Sequence, residues 1–458
     1  MLERLFKLKA NNTTVKTEVL AGITTFVTMA YILAVNPSQL SQAGMNANAV
    51  LIATALAACI GTLLMAFLAN YPFALAPGMG LNTYFAFTVC LGMGFSWQVA
   101  LLAVFVEGII FLLLSLTNVR EAIFNSIPMT LKHAVSVGIG LFIAFIGLQG
   151  SHLVVAQSST LVTYQNFKEN FNSIGISAVL ALIGIVITAI LLIKNVRGGI
   201  LIGILATWVL GMICQATGIY VVNPELSCYS LYPDFSNGLH LGALSETFGQ
   251  AFHIEAGSVR VADFVLVVFA FLFVDLFDTL GTLIGVASKS NMLDKDGKLP
   301  KIKGALLADS LATCAGAVLG TSTTTTYVES SSGVSEGGRT GLTALTTAIL
   351  FFLAIFFSPI FVAIPSFATA PALITVGFYM IGAVAKINFE DMSEAIPAFL
   401  CIIAMPFMYS IAEGIALGVI SYTLINILSG KAKEKKVSIL MYILTVFFIA
   451  KYIIMAIL

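Results

Sequence analysis

Long apolar runs, each bounded by a short polar interval, follow one another along almost the whole chain, and few of them show the strict alternation of a half-buried strand. Runs of the length a membrane helix needs, about 20 residues, lie near 18–36, 48–69, 97–117, 133–150, 174–193 and 198–217. After a more polar interval come 262–287, 303–320, 341–364, 368–387, 394–409, 411–430 and 437–457. Two further stretches, 80–94 and 329–339, are too short or too polar to cross alone. The pattern predicts an all-α polytopic membrane protein.

Polar residues interrupt this pattern at three places. In YPFALAPGMGLNTYFAF (71–87), Pro72, Pro77, Gly78 and Gly80 forbid a continuous helix, and helix is expected to resume near Asn82. In GTSTTTTYVESSSGVSEGGRTG (320–341), the β-branched run Thr323 to Val328 favours extended backbone, and Ser330 to Ser332 offer N-cap side chains to a short helix. Irregular backbone at membrane depth is tolerated only where protein or a watery cavity covers it. Glu329 therefore falls where an extended piece meets a half-helix N-terminus, a place suited to polar groups. The third place is FLFVDLFDTLGTLIGVA (271–287), where Asp275 and Asp278 stand three apart on neighbouring helix faces inside an apolar span. A carboxylate there costs roughly 2.5–3.5 kcal/mol on insertion scales, so such residues face a bundle interior and mark solute or proton pathways.

Composition sharpens the picture. Of 458 residues 59% are hydrophobic and 10% charged, and the mean hydropathy is +1.01; a soluble domain carries roughly 25% charged residues. The formal net charge is zero, which argues against a nucleic-acid partner. The six cysteines are scattered without CxxC spacing, so buried apolar thiols are expected instead of a disulfide frame or a zinc site.

Basic residues cluster at Lys7–Lys16, Arg120/Lys132, Lys194/Arg197, 289–303, Arg339 and Lys431–Lys436. With the N-terminus inside, all of these fall on the cytoplasmic face, which fits fourteen crossings and leaves 437–457 open as a crossing or an interfacial segment. The domains expected are a cytoplasmic N-terminus (1–17), a first repeat (18–217), an outer loop (218–261), a second repeat (262–430) and a basic linker with an apolar tail (431–458). The stretches 133–150 and 370–387, and 198–211 and 413–426, echo one another. Seven spans per repeat force the second copy to be inverted, an arrangement typical of secondary transporters.

Other polar residues read more plainly. Glu107 is expected to make a helix-to-helix contact, His133 to lie near the interface, and Glu336 and Arg339 to pair near the cytoplasmic face. The segment LDKDGKLPK (293–301) lacks the remaining ligands of a calcium loop and reads as a solvated turn.

The motifs APGMGLN (76–82), FDTLGTLIGVA (277–287) and GTSTTTTYVESSSGV (320–334), in this order, resemble the AzgA-like branch of the nucleobase–cation symporter-2 family, the bacterial and fungal purine permeases. The likeness runs from the first span (22–37) to the fourteenth (405–418). It implies seven plus seven inverted spans, with a core (18–117 and 262–364), a gate (133–217 and 368–430), a homodimer, and an elevator movement in a bacterial plasma membrane. It implies that Asn82, Asp275, Glu329 and Ser330 contact the purine, that Asp278 serves proton coupling, and that Gly78, Gly80, Thr326 and Gly333 shape the supporting backbone. The family's pattern is not always acidic at the position of Asp275 but is at that of Asp278, which puts Asp278 first for the transport cycle. The wording of the 323–334 segment is closer to guanine/hypoxanthine members than to adenine members. No cofactor is implied beyond the coupling proton.

The rival readings are an adenine or xanthine permease, an anion transporter of the sulfate permease type, an intramembrane aspartyl protease using Asp275 and Asp278, and a passive channel. An anion site would want Arg or Lys where Glu329 and the two aspartates stand. A protease needs its two carboxylates on separate helices, sharing a proton.

Overall fold

The computed structural model describes residues 2–117, 126–168, 170–223, 226, 228–235, 241–254, 260–289, 292 and 299–457. Arg120, Lys295, Lys298 and most of the 293–301 turn lie outside them.

The first half holds α1 (Val15–Met29), α2 (Ile32–Leu40), α3 (Ala47–Leu64), β1 (Leu75–Pro77), α4 (Met79–Thr83), α5 (Trp97–Leu116) and α6 (Met129–Gly150). A small hairpin, β2 (Val154–Gln157) with β3 (Leu161–Tyr164), leads to α7 (Ile176–Ile193) and α8 (Gly199–Ala216). The second half holds α9 (Val261–Lys289), α10 (Ile302–Leu319), β4 (Thr324–Thr326), α11 (Ser330–Ser335) and α12 (Gly341–Ala354). It continues with α13 (Ser366–Ile381), α14 (Met392–Phe407), α15 (Ile411–Leu428) and α16 (Ile439–Ile457).

Among the described residues ten helices are long and apolar enough to cross a bilayer. Their outer faces need one: α7 leaves Leu182, Val186, Ile190 and Ile193 exposed along a single stripe. In water such a continuous apolar face would drive association. The chain is a multi-pass membrane protein. The apolar segments at 394–409 and 437–457 form the helices α14 and α16.

The helices pack in two sets. In one, α10 lies against α3 and α5, and α12 against α1 and α3; in the other, α6 lies against α13 and α14, and α14 against α15. The echo between 133–150 and 370–387 has a physical basis in the second set. A Cβ on Gly140 would stand 2.8 Å from the Gly377 carbonyl oxygen, and one on Gly377 2.4 Å from that of Gly140. Small residues let the two backbones meet, since apolar side chains gain little over lipid.

Helix starts are fixed locally. Asn46 accepts from the N–H groups of Asn48 and Ala49, and Ser410 from that of Glu413. Asp391 caps α14 by accepting from Ser393, and bonds from Lys435 and Ser393 hold its carboxyl well below the usual carboxylate range. Buried Glu18 accepts from the N–H groups of Arg339, Thr340 and Thr343, so a carboxylate sits on the positive end of α12.

The two helix breaks meet. β1 and β4 pair antiparallel, with Leu75 opposite Thr326, Ala76 opposite Thr325 and Pro77 opposite Thr324. Each strand lends three residues and then turns into a helix. Sequence reasoning expected both extended pieces but not their pairing, which satisfies backbone groups that lipid would leave bare.

Three details differ from expectation. Helix resumes at Met79, ahead of Asn82. Glu329, not a serine, occupies the N-cap of α11 and makes no side-chain cap bond; Ser330 is already helical and its Oγ accepts the Ala74 N–H at 3.0 Å. Arg339 donates to the carbonyls of Val334 and Gly338, while Glu336 pairs with Arg197, so Glu336 and Arg339 are not partners.

Candidate functional site

A cavity of about 840 Å³ lies between the two helix sets, with the β1–β4 ribbon in its wall. Gly78, Gly80 and Met79 line it from the first break, and Thr325, Thr326, Tyr327 and Glu329 from the second. Val274, Asp278 and Thr282 line it from α9, and Ile139 and Ile143 from α6. Spacing explains the α9 contribution: 274, 278 and 282 are four apart and share one face.

Glu329 is half-buried at the turn into α11, and the Tyr31 hydroxyl donates to its Oε1 at 2.6 Å. Asp278 faces it from α9, also half-buried. Gly78 makes that approach feasible, because a Cβ there would stand 2.6 Å from Thr325 Cγ2 and 3.3 Å from Asp278 Oδ2. The Gly78 N–H donates to the Thr323 carbonyl and the Tyr327 hydroxyl to the Pro77 carbonyl, so each break braces the other.

Several expected site residues stand behind the wall instead of in it. Asp275 is fully buried and absent from the lining; Thr279 Oγ1 lies 2.7 Å from its Oδ1, 2.9 Å from Asp309 Oδ1 and 2.8 Å from Thr325 Oγ1. Glu107 accepts from Thr323 at 2.8 Å, joining α5 to the ribbon, and lies close to Asp275 of α9. Asn82 is buried and its Oδ1 accepts from the Ser322 hydroxyl, again linking the breaks. Ser330 is spent on Ala74. Gly333 meets α1 at Thr25 and Ala21 as close-packed backbone, whereas Gly80, in the wall itself, meets Ile139. Thr326, also in the wall, lies in β4 opposite Leu75.

The structure adds Tyr31, Tyr327, Thr279 and Asp309 to the neighbourhood. Sequence reasoning passes over Asp309, although it is an ionisable residue inside an apolar span, as Asp275 is. The tyrosines carried no signal beyond a hydroxyl in an apolar run.

A second cavity, of about 280 Å³, lies towards the other end of α9 and includes Asp263, Phe273, Tyr409 and Glu413. Phe273 lines this one and Val274 the larger one. Tyr84, in the wall of the smaller cavity, meets Phe271 edge-on at 4.8 Å.

The sequence profile of a family described as "Permease family" matches residues 16–417. The chain belongs to this family, the nucleobase–cation symporter-2 permeases. The permease is 46% identical to the guanine/hypoxanthine permease PbuG of Bacillus subtilis, over 99% of each chain. It is 42% identical to the adenine permease AdeP of Escherichia coli, over 98% of this chain and 96% of that one. A putative permease of Methanocaldococcus jannaschii is 47% identical over 99% and 98%. Among solved structures, the transmembrane domain of the cyanobacterial bicarbonate transporter BicA superposes with a TM-score of 0.60 at 15% identity, covering 88% of this permease and 97% of that chain. SLC26A9 gives 0.60 at 11% identity, over 91% and 66%. These two likenesses establish a common fold and nothing of the solute.

Proposed function

We propose that this permease imports purine bases, guanine and hypoxanthine foremost, in symport with protons. The observation that carries the reading is Glu329, oriented by Tyr31 at a cavity wall and faced by Asp278, in a chain so similar to a guanine/hypoxanthine permease.

The chemistry follows from hydrogen-bond complementarity. A carboxylate has about four acceptor sites; Tyr31 uses one, which leaves Glu329 free to accept N1–H and, in guanine, the adjacent N2–H as a charge-assisted pair. The helical run that begins at Met79 offers first-turn N–H groups beside the cavity at Gly80, donors that the base's O6 would accept. Ile139, Ile143 and Val274 supply apolar walls for a planar ring. Adenine presents an acceptor at N1, which a carboxylate repels. A site built around such bonds discriminates strongly.

Asp278 is the coupling group in this reading: it shares the cavity with the base, whereas Asp275, Glu107 and Asp309 hold the framework behind it. The set built around α3, α10 and α12 acts as the moving core and the set around α6, α13 and α14 as the gate, through fourteen crossings and an elevator movement. Cytoplasmic placement of the N-terminus rests on the basic clusters.

The adenine reading is the second, favoured by the 42% identity to an adenine permease. Proteoliposomes with an imposed pH gradient separate the two. Accumulation of labelled hypoxanthine, displaced by guanine and not by adenine or uracil, is expected. Displacement by adenine at equal concentration overturns the ranking, and accumulation that survives a protonophore under a maintained sodium gradient overturns the coupling.

A further inference from the structure

The turn that joins α14 to α15 carries a tyrosine where a glycine is expected. Tyr409 stands at φ +53°, and the Ser410 N–H beyond it reaches back to the Met405 carbonyl at 3.0 Å. That bond marks a helix C-terminus whose left-handed position glycine fills without steric cost. Among the described residues, most other non-glycine positions with positive φ are Asn or Lys. A bulky ring persists in this conformation only where its surroundings hold it, and such positions gather at functional sites.

What the ring gains is contact with both helix sets. From α6, Phe142 meets it edge-on at 5.4 Å and Phe145 at 6.1 Å, and the Tyr409 hydroxyl donates to Gln149 Oε1 at 2.9 Å. From the other side Phe87 meets it edge-on at 6.3 Å, and the Thr88 hydroxyl donates to the Tyr409 carbonyl at 3.2 Å. Phe87 and Thr88 belong to the π-helical run Tyr84–Gly92, which continues α4 out of the first break and lies against α5. Turns of this wide kind are rare and frequent at functional sites.

The order of residues along α6 places this contact. The larger cavity runs out to exposed Met129 and Lys386, so it opens towards the basic face. From Met129 the helix passes Ile139 and Ile143 in the wall of that cavity, and then reaches the Tyr409 partners Phe145 and Gln149. Tyr409 and Thr88 in turn line the smaller cavity, towards the other end of α9. The ring therefore joins the two sets beyond the solute cavity, on the side away from its mouth.

We propose that the Tyr409 ring is the plug that shuts the solute cavity on the face away from the basic clusters, and that its contacts with Phe87 and Thr88 part to admit solute there. The inference needs only a permease with two helix sets and holds whichever base is carried. The two ends of the turn are fixed by α14 and α15, and Ser410 caps the latter. The plug is thus set by backbone geometry, and it opens when the sets separate, not when a side chain swings.

Thiol labelling without any solute tests this. Ser136 lines the larger cavity from α6, and Ser136→Cys gives it a reporter. A membrane-impermeant maleimide is applied to sealed vesicles of one orientation, from the face away from the basic clusters. Mass spectrometry of the peptide holding position 136 separates it from the six native thiols. Slow labelling is expected with Tyr409 in place, and labelling at least tenfold faster with Tyr409→Gly, whose turn costs nothing sterically. Tyr409→Phe keeps the ring and should stay slow, while Phe87→Ala, which removes the ring's partner across the seam, should also be fast. Labelling of Tyr409→Gly at the parent rate, in protein with an unchanged melting temperature, overturns the plug. So does equal acceleration by Tyr409→Phe, which would assign the seal to the Gln149 bond. If Tyr409→Gly does not fold, the rate of Phe87→Ala decides in the same way.

Discussion

Around Ala76 the chain runs extended for three residues and turns into helix at Met79; around Thr325 it does the same and turns into helix at Ser330. The two stretches pair residue for residue, yet they bring different chemistry to the cavity. The first is built of Leu, Ala, Pro and Gly, so its contribution is backbone; the second is built of Thr, Tyr and Glu, and it brings a carboxylate held by Tyr31. The paired breaks make a matched frame, and the different side chains they carry make an asymmetric site. Asymmetry suits a neutral planar base, which offers a donor on one edge position and an acceptor beside it.

The largest effect expected from breaking this division belongs to Asp278→Asn. It should abolish accumulation driven by a pH gradient in proteoliposomes while changing equilibrium hypoxanthine affinity far less; a parallel loss of both would make Asp278 a binding residue only. Next comes Tyr31→Phe, which removes a bond to a charged group. Such bonds are worth about 1.5–3 kcal/mol, so isothermal titration should read a fall in affinity of roughly ten- to a hundredfold, and an unchanged affinity would detach Tyr31 from the site. Ser330→Ala is the smallest, and its effect is on stability. It strips the buried Ala74 N–H of its partner at a cost of about 1–3 kcal/mol, visible as a lower melting temperature with little change in solute affinity where the protein stays folded.

Much of this arrangement was legible in the sequence. Hydropathy marked the spans, Pro72, Pro77 and Gly78 marked the first break, and the threonine run with Glu329 marked the second. What sequence could not supply was contact between the halves. Nothing local says that Ala76 faces Thr325, that Tyr31 reaches a glutamate 298 positions away, or that Asp275 turns to Thr279 and Glu107 while Asp278 turns to the cavity. Two aspartates three apart differ by about 300° around a helix, and only the packing of α9 decides which faces solute. Asn82 and Ser330 illustrate the same limit: each sits at the right place in its motif, and each is consumed in tying one break to the other.

The most direct test sets the two breaks against each other in one assay. Equilibrium binding of hypoxanthine would be measured for Glu329→Gln and for Asn82→Ala, each with its melting temperature. A loss of more than about a hundredfold is expected for Glu329→Gln in a protein of near-normal stability, consistent with charge-assisted bonds. For Asn82→Ala the expected result is a lowered melting temperature with affinity retained in the folded fraction. The reverse pattern, affinity lost through Asn82 and kept without the Glu329 charge, would contradict it.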